Sequence, residues 1–288
     1  MVAVLAVVVV LVAQWLRGQA DVQQFILDFP GQSELPADTP AGIPVWLAWQ
    51  HGLNAFFLLF IIRSGLQLRT GGRPSTFWKR NNTGLIRTKG EPVRVGITVW
   101  LHVAFDTLWI VNGLTYFVLL FATGQWMRVV PTSWDIVPNA VSAGLQYVSL
   151  DWPVENGWVN YNALQLLSYF VVIFVAAPLA IVTGIRLMPG FAARFRSLDK
   201  AFPLSAARTL HFWLMLFFIA FIAVHVFLVL ATGAQRNLNH MYAARDDGSW
   251  LGVILFAASL VVMAATWFAL HPVVVKKLAS LTGTVISR

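Results

Sequence analysis

Long apolar runs separated by short polar connections dominate the chain. The clearest run covers residues 208–233 and is long enough to cross a bilayer as a helix. Similar runs at residues 44–68, 96–123, 161–188 and 250–271 predict four more spans. A shorter run at residues 2–16 lacks the charged leader of a signal peptide, although Gly18-Gln19-Ala20 after it resembles a weak cleavage site. It reads as an uncleaved first helix. The pattern predicts an all-α, polytopic membrane helix bundle of about six transmembrane helices. Pro178 predicts a kink inside its span rather than a stop, because membrane helices tolerate proline. Residues 134–150 predict a short interfacial helix, and Trp126, Trp134, Trp152 and Trp158 around it suit a headgroup belt. The expected organisation is an extra helix and external loop over residues 1–41, a four-helix core over 42–233, and an external loop, last span and cytoplasmic tail over 234–288.

Composition agrees with this class. Of 288 residues, 58% are hydrophobic and only 11% charged, where a soluble domain would carry about a quarter. There is no cysteine, which excludes disulfides, thiolate zinc sites, cysteine-held iron–sulfur clusters and covalent c-type haem. The net charge of +8 does not call for nucleic acid, because the basic residues sort by loop. Arg73, Lys79, Arg80, Arg87, Lys89 and Arg94 crowd the connection at 71–95, Arg194, Arg196 and Lys200 that at 189–207, and Lys276, Lys277 and Arg288 the tail. The other connections are acidic or balanced, with Asp21, Asp28, Glu34 and Asp38 in the first, Arg128, Asp135, Asp151 and Glu155 in the second, and Arg236, Arg245, Asp246 and Asp247 in the third. The basic set is expected in the cytoplasm, with both termini there and the chain in the bacterial cytoplasmic membrane.

Histidines carry the candidate chemistry. His211 and His225 share one span, fourteen residues apart. Fourteen steps come to about 1400°, roughly 40° short of four turns, so both rings point the same way about 21 Å apart along the axis. His51 begins the span at 44–68 and His102 the span at 96–123, which run in opposite directions. Depth then pairs His51 with His225 on the outer side and His102 with His211 on the inner side. Ionisable groups inside spans are functional candidates by default. The alternative for each histidine alone is a hydrogen-bonded bundle residue, but two depth-matched pairs on three helices fit two stacked bis-histidine b-type haems.

The spans also echo one another. Leu101-His102 and Ala122-Thr123-Gly124 match Leu210-His211 and Ala231-Thr232-Gly233 with identical spacing. More weakly, Ser64-Gly65-Leu66-Gln67-Leu68 matches Thr183-Gly184-Ile185-Arg186-Leu187. These echoes hint at a duplicated two-helix hairpin, in which Tyr116 stands at the position of His225 and Phe170 at that of His51.

The segment Gln50-His51-Gly52-Leu53-Asn54-Ala55-Phe56, followed by Ser64-Gly65-Leu66-Gln67-Leu68, resembles the first haem-binding helix of the bacterial di-haem cytochrome b family. Members of that family anchor nickel–iron hydrogenases, formate dehydrogenases and thiosulfate-reductase-type molybdenum enzymes. The resemblance extends over about residues 45–245 and includes the tail Asn237-Leu238-Asn239-His240-Met241-Tyr242. It implies His51, His102, His211 and His225 as haem ligands, with electrons passing between a quinone pool and a partner subunit. That partner would be a molybdopterin oxidoreductase or a hydrogenase, with or without an iron–sulfur subunit, and the quinone menaquinone or ubiquinone. Two features depart from the family: the extra helix at residues 2–16, and a charge pattern that places His51 outside where those anchors usually begin inside.

Other polar residues are secondary candidates. Arg94 and Arg208 precede the inner ligands and could pair with haem propionates or simply face solvent. Asp106, one turn after His102, could orient a ligand, relay protons or line a quinone pocket. His240 is either a loop residue or a quinone contact, and His271 with Pro272 ends the last span. Arg63 reads as snorkelling, and Asn54, Asn112, Asn162 and Gln165 as interhelical bonds. Two other functions compete. A stand-alone haem reductase for a small acceptor would need no stable partner. A haem-free transporter or scaffold would tolerate loss of His225.

Overall fold

The computed structural model describes residues 1–83, 91–152 and 156–287. Arg87, Lys89, Glu155 and Arg288, which enter the charge pattern above, lie outside the described residues. Five helices are long and apolar enough to cross a membrane: α3 (Val45–Thr70), α4 (Ile97–Ala122), α6 (Ala163–Leu187), α7 (Leu204–Ala231) and α8 (Leu251–Ala269). Two shorter helices precede them, α1 (Val2–Arg17) and α2 (Ala20–Asp28). They meet at an 82° bend and count as a sixth span only when taken together. Residues 20–28, in the polar loop where a short surface helix is expected, form the helix Ala20–Asp28. The spans turn many Val, Leu and Phe side chains outward, which suits hydrocarbon surroundings and makes the chain a multi-pass membrane protein.

The spans form two hairpins, α3–α4 and α6–α7. Each hairpin packs its own two helices closely, whereas α7 approaches α3 and α4 mainly through side chains. The proline in α6 is accommodated by a widened turn. Val171–Ala176 is π-helical just before Pro178. Proline lacks the N–H for the regular bond and crowds the carbonyl four residues back, here Phe174, within the widened turn. The echo between α4 and α7 is partly a shared way of stopping. Thr123 and Thr232 donate their hydroxyls to the Leu119 and Leu228 carbonyls at 2.7 and 2.8 Å, and Gly124 and Gly233 follow with φ of 73° and 134°.

One end of the bundle carries a small sheet, a departure from a purely helical chain. β1 (Thr76–Arg80) pairs antiparallel with β2 (Arg94–Gly96) on one side and with β3 (Gly283–Ser287) on the other. Trp78 stands opposite Val95 and Val285, and its indole N–H donates to the Ala279 carbonyl at 3.0 Å. Before β3, α9 (Pro272–Ser280) tucks Val275 against Phe60, Leu101 and Phe105. His271 caps α9, in keeping with its expected role at the end of the last span. Four spans separate β1 from β3, so their pairing on one side agrees with an even number of crossings. We call this end the sheet side.

The opposite end, the cap side, is built from the connections. It holds α5 (Ile136–Val148), within the interfacial helix expected at 134–150. Arg128 is buried there, donating to the Gly157 carbonyl at 2.7 Å and the Trp158 carbonyl at 3.0 Å. Arg17 at the end of α1 reaches this layer through Asp151 at 2.5 Å and the Ser149 hydroxyl at 3.0 Å. After α7 the chain continues as the helical turn Ala234–Leu238 and the π-helical Asn239–Ala243. The buried Asn239 donates to Asp247 at 2.7 Å and accepts from the Gly252 N–H at 3.2 Å. Gly252 leaves no room for a side chain because the Asn239 backbone lies against its α-carbon.

Candidate functional site

The four histidines meet in the two pairs their depths predict. On the cap side the ring centres of His51 and His225 lie 6.1 Å apart, and on the sheet side those of His102 and His211 lie 6.4 Å apart. Imidazole–metal bonds are about 2 Å, and roughly another 1 Å separates each nitrogen from its ring centre, so two imidazoles on opposite sides of one metal stand about 6 Å apart. Both pairs therefore have the spacing of two axial ligands. Among the described residues, no group of three His, Asp or Glu side chains converges as a metal site. The donor set is two separate imidazole pairs, which suits an iron whose remaining bonds come from a macrocycle.

The two pairs are anchored by different chemistry. On the sheet side, Ser64 Oγ of α3 lies 2.8 Å from His102 Nδ1, and Thr183 Oγ1 of α6 lies 2.9 Å from His211 Nδ1. Each hydroxyl spends its own proton inside its helix, Ser64 on the Phe60 carbonyl and Thr183 on the Leu179 carbonyl, both at 2.7 Å. A hydroxyl with its single proton committed can only accept from the ring. Next to each hydroxyl is a glycine: a Cβ on Gly65 would lie 3.4 Å from His102 Cε1, and one on Gly184 3.5 Å from His211 Cε1. On the cap side, His51 Nδ1 is buried without a hydrogen-bond partner among the described residues. His225 stacks on Phe221 at 5.6 Å and 8° and meets Tyr169 edge-on at 6.1 Å, while Tyr242 meets His51 edge-on at 5.8 Å.

The other candidates are distributed around the pairs. Asp106 Oδ2 is 3.6 Å from His102 Nε2, close to the sheet-side pair. Arg94 lies in β2 with its guanidinium 4.1 Å from the Phe77 ring centre, and Arg208 is exposed. His240 is buried, with Nε2 2.7 Å from Asp246 Oδ1 and its ring 5.4 Å from that of Trp158. Arg63 binds the Trp267 carbonyl at 2.8 Å and lies over the Trp267 ring. Asn54 accepts from Trp109 Nε1 at 2.6 Å, and Asn112 reaches the Gln50 carbonyl at 3.5 Å, so both tie α3 to α4 as expected. Asn162 and Gln165 instead cap α6 reciprocally, because a helix start leaves N–H groups to be satisfied.

Ser64, Thr183, Tyr169 and Tyr242 were not among the site residues read from the sequence. The signal for the first two was present in the Ser64-Gly65 and Thr183-Gly184 echo. Its meaning is that each hairpin supports its own histidine, α3 holding the ring from α4 and α6 the ring from α7.

A family model described as prokaryotic cytochrome b561 matches residues 42–244. No curated protein and no solved structure matches the chain. The matched segment begins just ahead of α3 and ends just after the π-helical turn at Asn239–Ala243, so it contains all four paired histidines and both hairpins. The chain belongs to the prokaryotic cytochrome b561 family, membrane-bound b-type haem proteins of electron transfer.

Proposed function

We propose that the protein carries electrons across the membrane through two b haems, one at each histidine pair, between a quinone or quinol pool and a partner redox subunit of molybdopterin or hydrogenase type. The observation that carries this reading is the coincidence of two imidazole pairs at axial-ligand spacing on opposite sides of one bundle. The haem, when bound, supplies the one-electron chemistry. His51 and His225 hold the cap-side group, and His102 and His211 the sheet-side group. The aromatic shell of Phe221, Tyr169 and Tyr242 keeps water from the cap-side rings. Asp106 beside the sheet-side pair and His240 with Asp246 on the cap side are the ionisable groups we assign to proton handling during quinone turnover. The basic sheet side faces the cytoplasm and the cap side the exterior.

The test is a dithionite-reduced minus air-oxidised spectrum of the purified protein with pyridine haemochrome quantitation. Two b haems per chain are expected. One or none, in folded protein made with haem available, overturns the two-centre reading. A reporter fused within residues 71–75 is expected on the cytoplasmic side, and an external signal would invert the orientation.

A further inference from the structure

The sheet-side histidines are supported by the same two-residue device in both hairpins. A hydroxyl accepts from Nδ1, and the glycine after it lies against Cε1 of the same ring. The match extends to the backbone. Ser64 and Thr183 bond back to carbonyls three and four residues earlier, Ile61 and Phe60 in α3, and Ala180 and Leu179 in α6. Each hydroxyl is thereby fixed to its helix and cannot rotate to offer its proton to the ring. With that hydroxyl as the acceptor, Nδ1 carries the proton and Nε2 presents its lone pair. On the cap side, His51 Nδ1 is buried without a partner among the described residues.

We propose that Ser64 and Thr183 are a matched pair of positioning residues that fix the tautomer and plane of His102 and His211 and favour the ferric state of the iron held between them. This rests on the sheet-side pair being a haem site. A ring whose N–H donates to a fixed acceptor is a more basic ligand, and a more basic ligand favours the higher charge on the metal. Ser64 and Thr183 touch neither iron nor substrate and act through the rings.

The experiment uses full-length protein in detergent, with potentiometric titration of the haem absorbance and low-spin ferric electron paramagnetic resonance. The variants are S64A and T183V, which remove the hydroxyls, and S64T and T183S, which keep them. H225A identifies the signals of the sheet-side centre. At a fixed ambient potential near the midpoint, S64A and T183V are each expected to raise the ferrous-to-ferric ratio of the sheet-side haem roughly two- to tenfold, the worth of one hydrogen bond. The cap-side haem is expected to stay at its wild-type ratio, and S64T and T183S within about twofold of wild type. If S64A or T183V loses the sheet-side haem while S64T or T183S retains it, the proposal also stands. It is overturned if the hydroxyl-free variants leave the ratio unchanged, if both haems shift together, or if the hydroxyl-keeping variants shift as far as the hydroxyl-free ones. A wild-type protein without two haems overturns the two-centre reading itself. A wild type with two haems that ignore the hydroxyls overturns only the proposal about Ser64 and Thr183.

Discussion

The sheet-side and cap-side histidine pairs have almost the same spacing, 6.4 and 6.1 Å, but different supports in the fold. His102 and His211 stand at equivalent positions of two similar hairpins, each ring held by a hydroxyl from its neighbouring helix. His51 and His225 break that equivalence: Tyr116 and Phe170 occupy the matching positions of the other two helices. The cap-side rings are held by aromatic packing, and the chain after α7 folds back over them to bring Tyr242 against His51. One pair thus stands at matched positions of the two hairpins, while the second relies on side chains and a covering segment outside that match.

The largest effect expected is loss of one centre without the other. His225→Ala should remove one haem per chain and His211→Ala the other, each leaving about one by pyridine haemochrome. Loss of both in either single variant would show that the two pairs are not independent. Next, Gly184→Val places branched carbons where a bare Cβ is already 3.5 Å from His211 Cε1. It should perturb or empty the sheet-side centre and spare the cap-side one, read from the two α-band components. Smaller still is Asn239→Ala, which strips partners from Asp247, Ser249 and Gly252 beneath the covering segment. A loss of about 1–3 kcal/mol is expected. In thermal denaturation followed at both haem bands, the cap-side band should respond first.

The smallest effect concerns Asp247. Hydrogen bonds from the Ser249 hydroxyl and backbone N–H, with Asn239 adding to them, hold its carboxyl at about 2 instead of 3.8. A depressed carboxyl pKa stabilises the folded loop above the unfolded value and loses that contribution as pH falls through the folded one. Amide exchange across residues 245–252 should therefore be slower in wild type than in Asp247→Asn at pH 6. The two proteins should converge as the pH drops from about 4 to about 2.

Much of this was legible in the sequence because the relevant signals are local. Span positions follow from runs of apolar residues, and the pairing of His211 with His102 and of His225 with His51 follows from helical rise and alternating direction. Unread features depend on contacts between distant segments. Nothing local in Thr76–Arg80 announces that it pairs with Gly283–Ser287, and the connection at 71–95 and the tail accordingly read as separate polar segments. His240 sits in a polar stretch, yet Trp158 and Asp246 enclose it. Ser64 and Thr183 were visible as an echo, but their acceptors and donors lie on two different helices, so spacing alone could not reveal their purpose. The bend between α1 and α2 was missed for the opposite reason: a local turn at Gly18-Gln19 looked like an end rather than a change of direction.

The three-stranded sheet has a consequence for how the protein is made. Trp78 is bonded to a carbonyl 201 residues further along the chain, and β1 obtains its second neighbour only from Gly283–Ser287. A ribosome working from the amino terminus delivers β1, then four spans to the membrane, before it delivers that partner. The sheet is a clasp that fastens last. Until it closes, the newly inserted bundle has its helices but not the tie between the α3–α4 connection and Gly283–Ser287, and quality-control proteases meet an open strand edge in that interval.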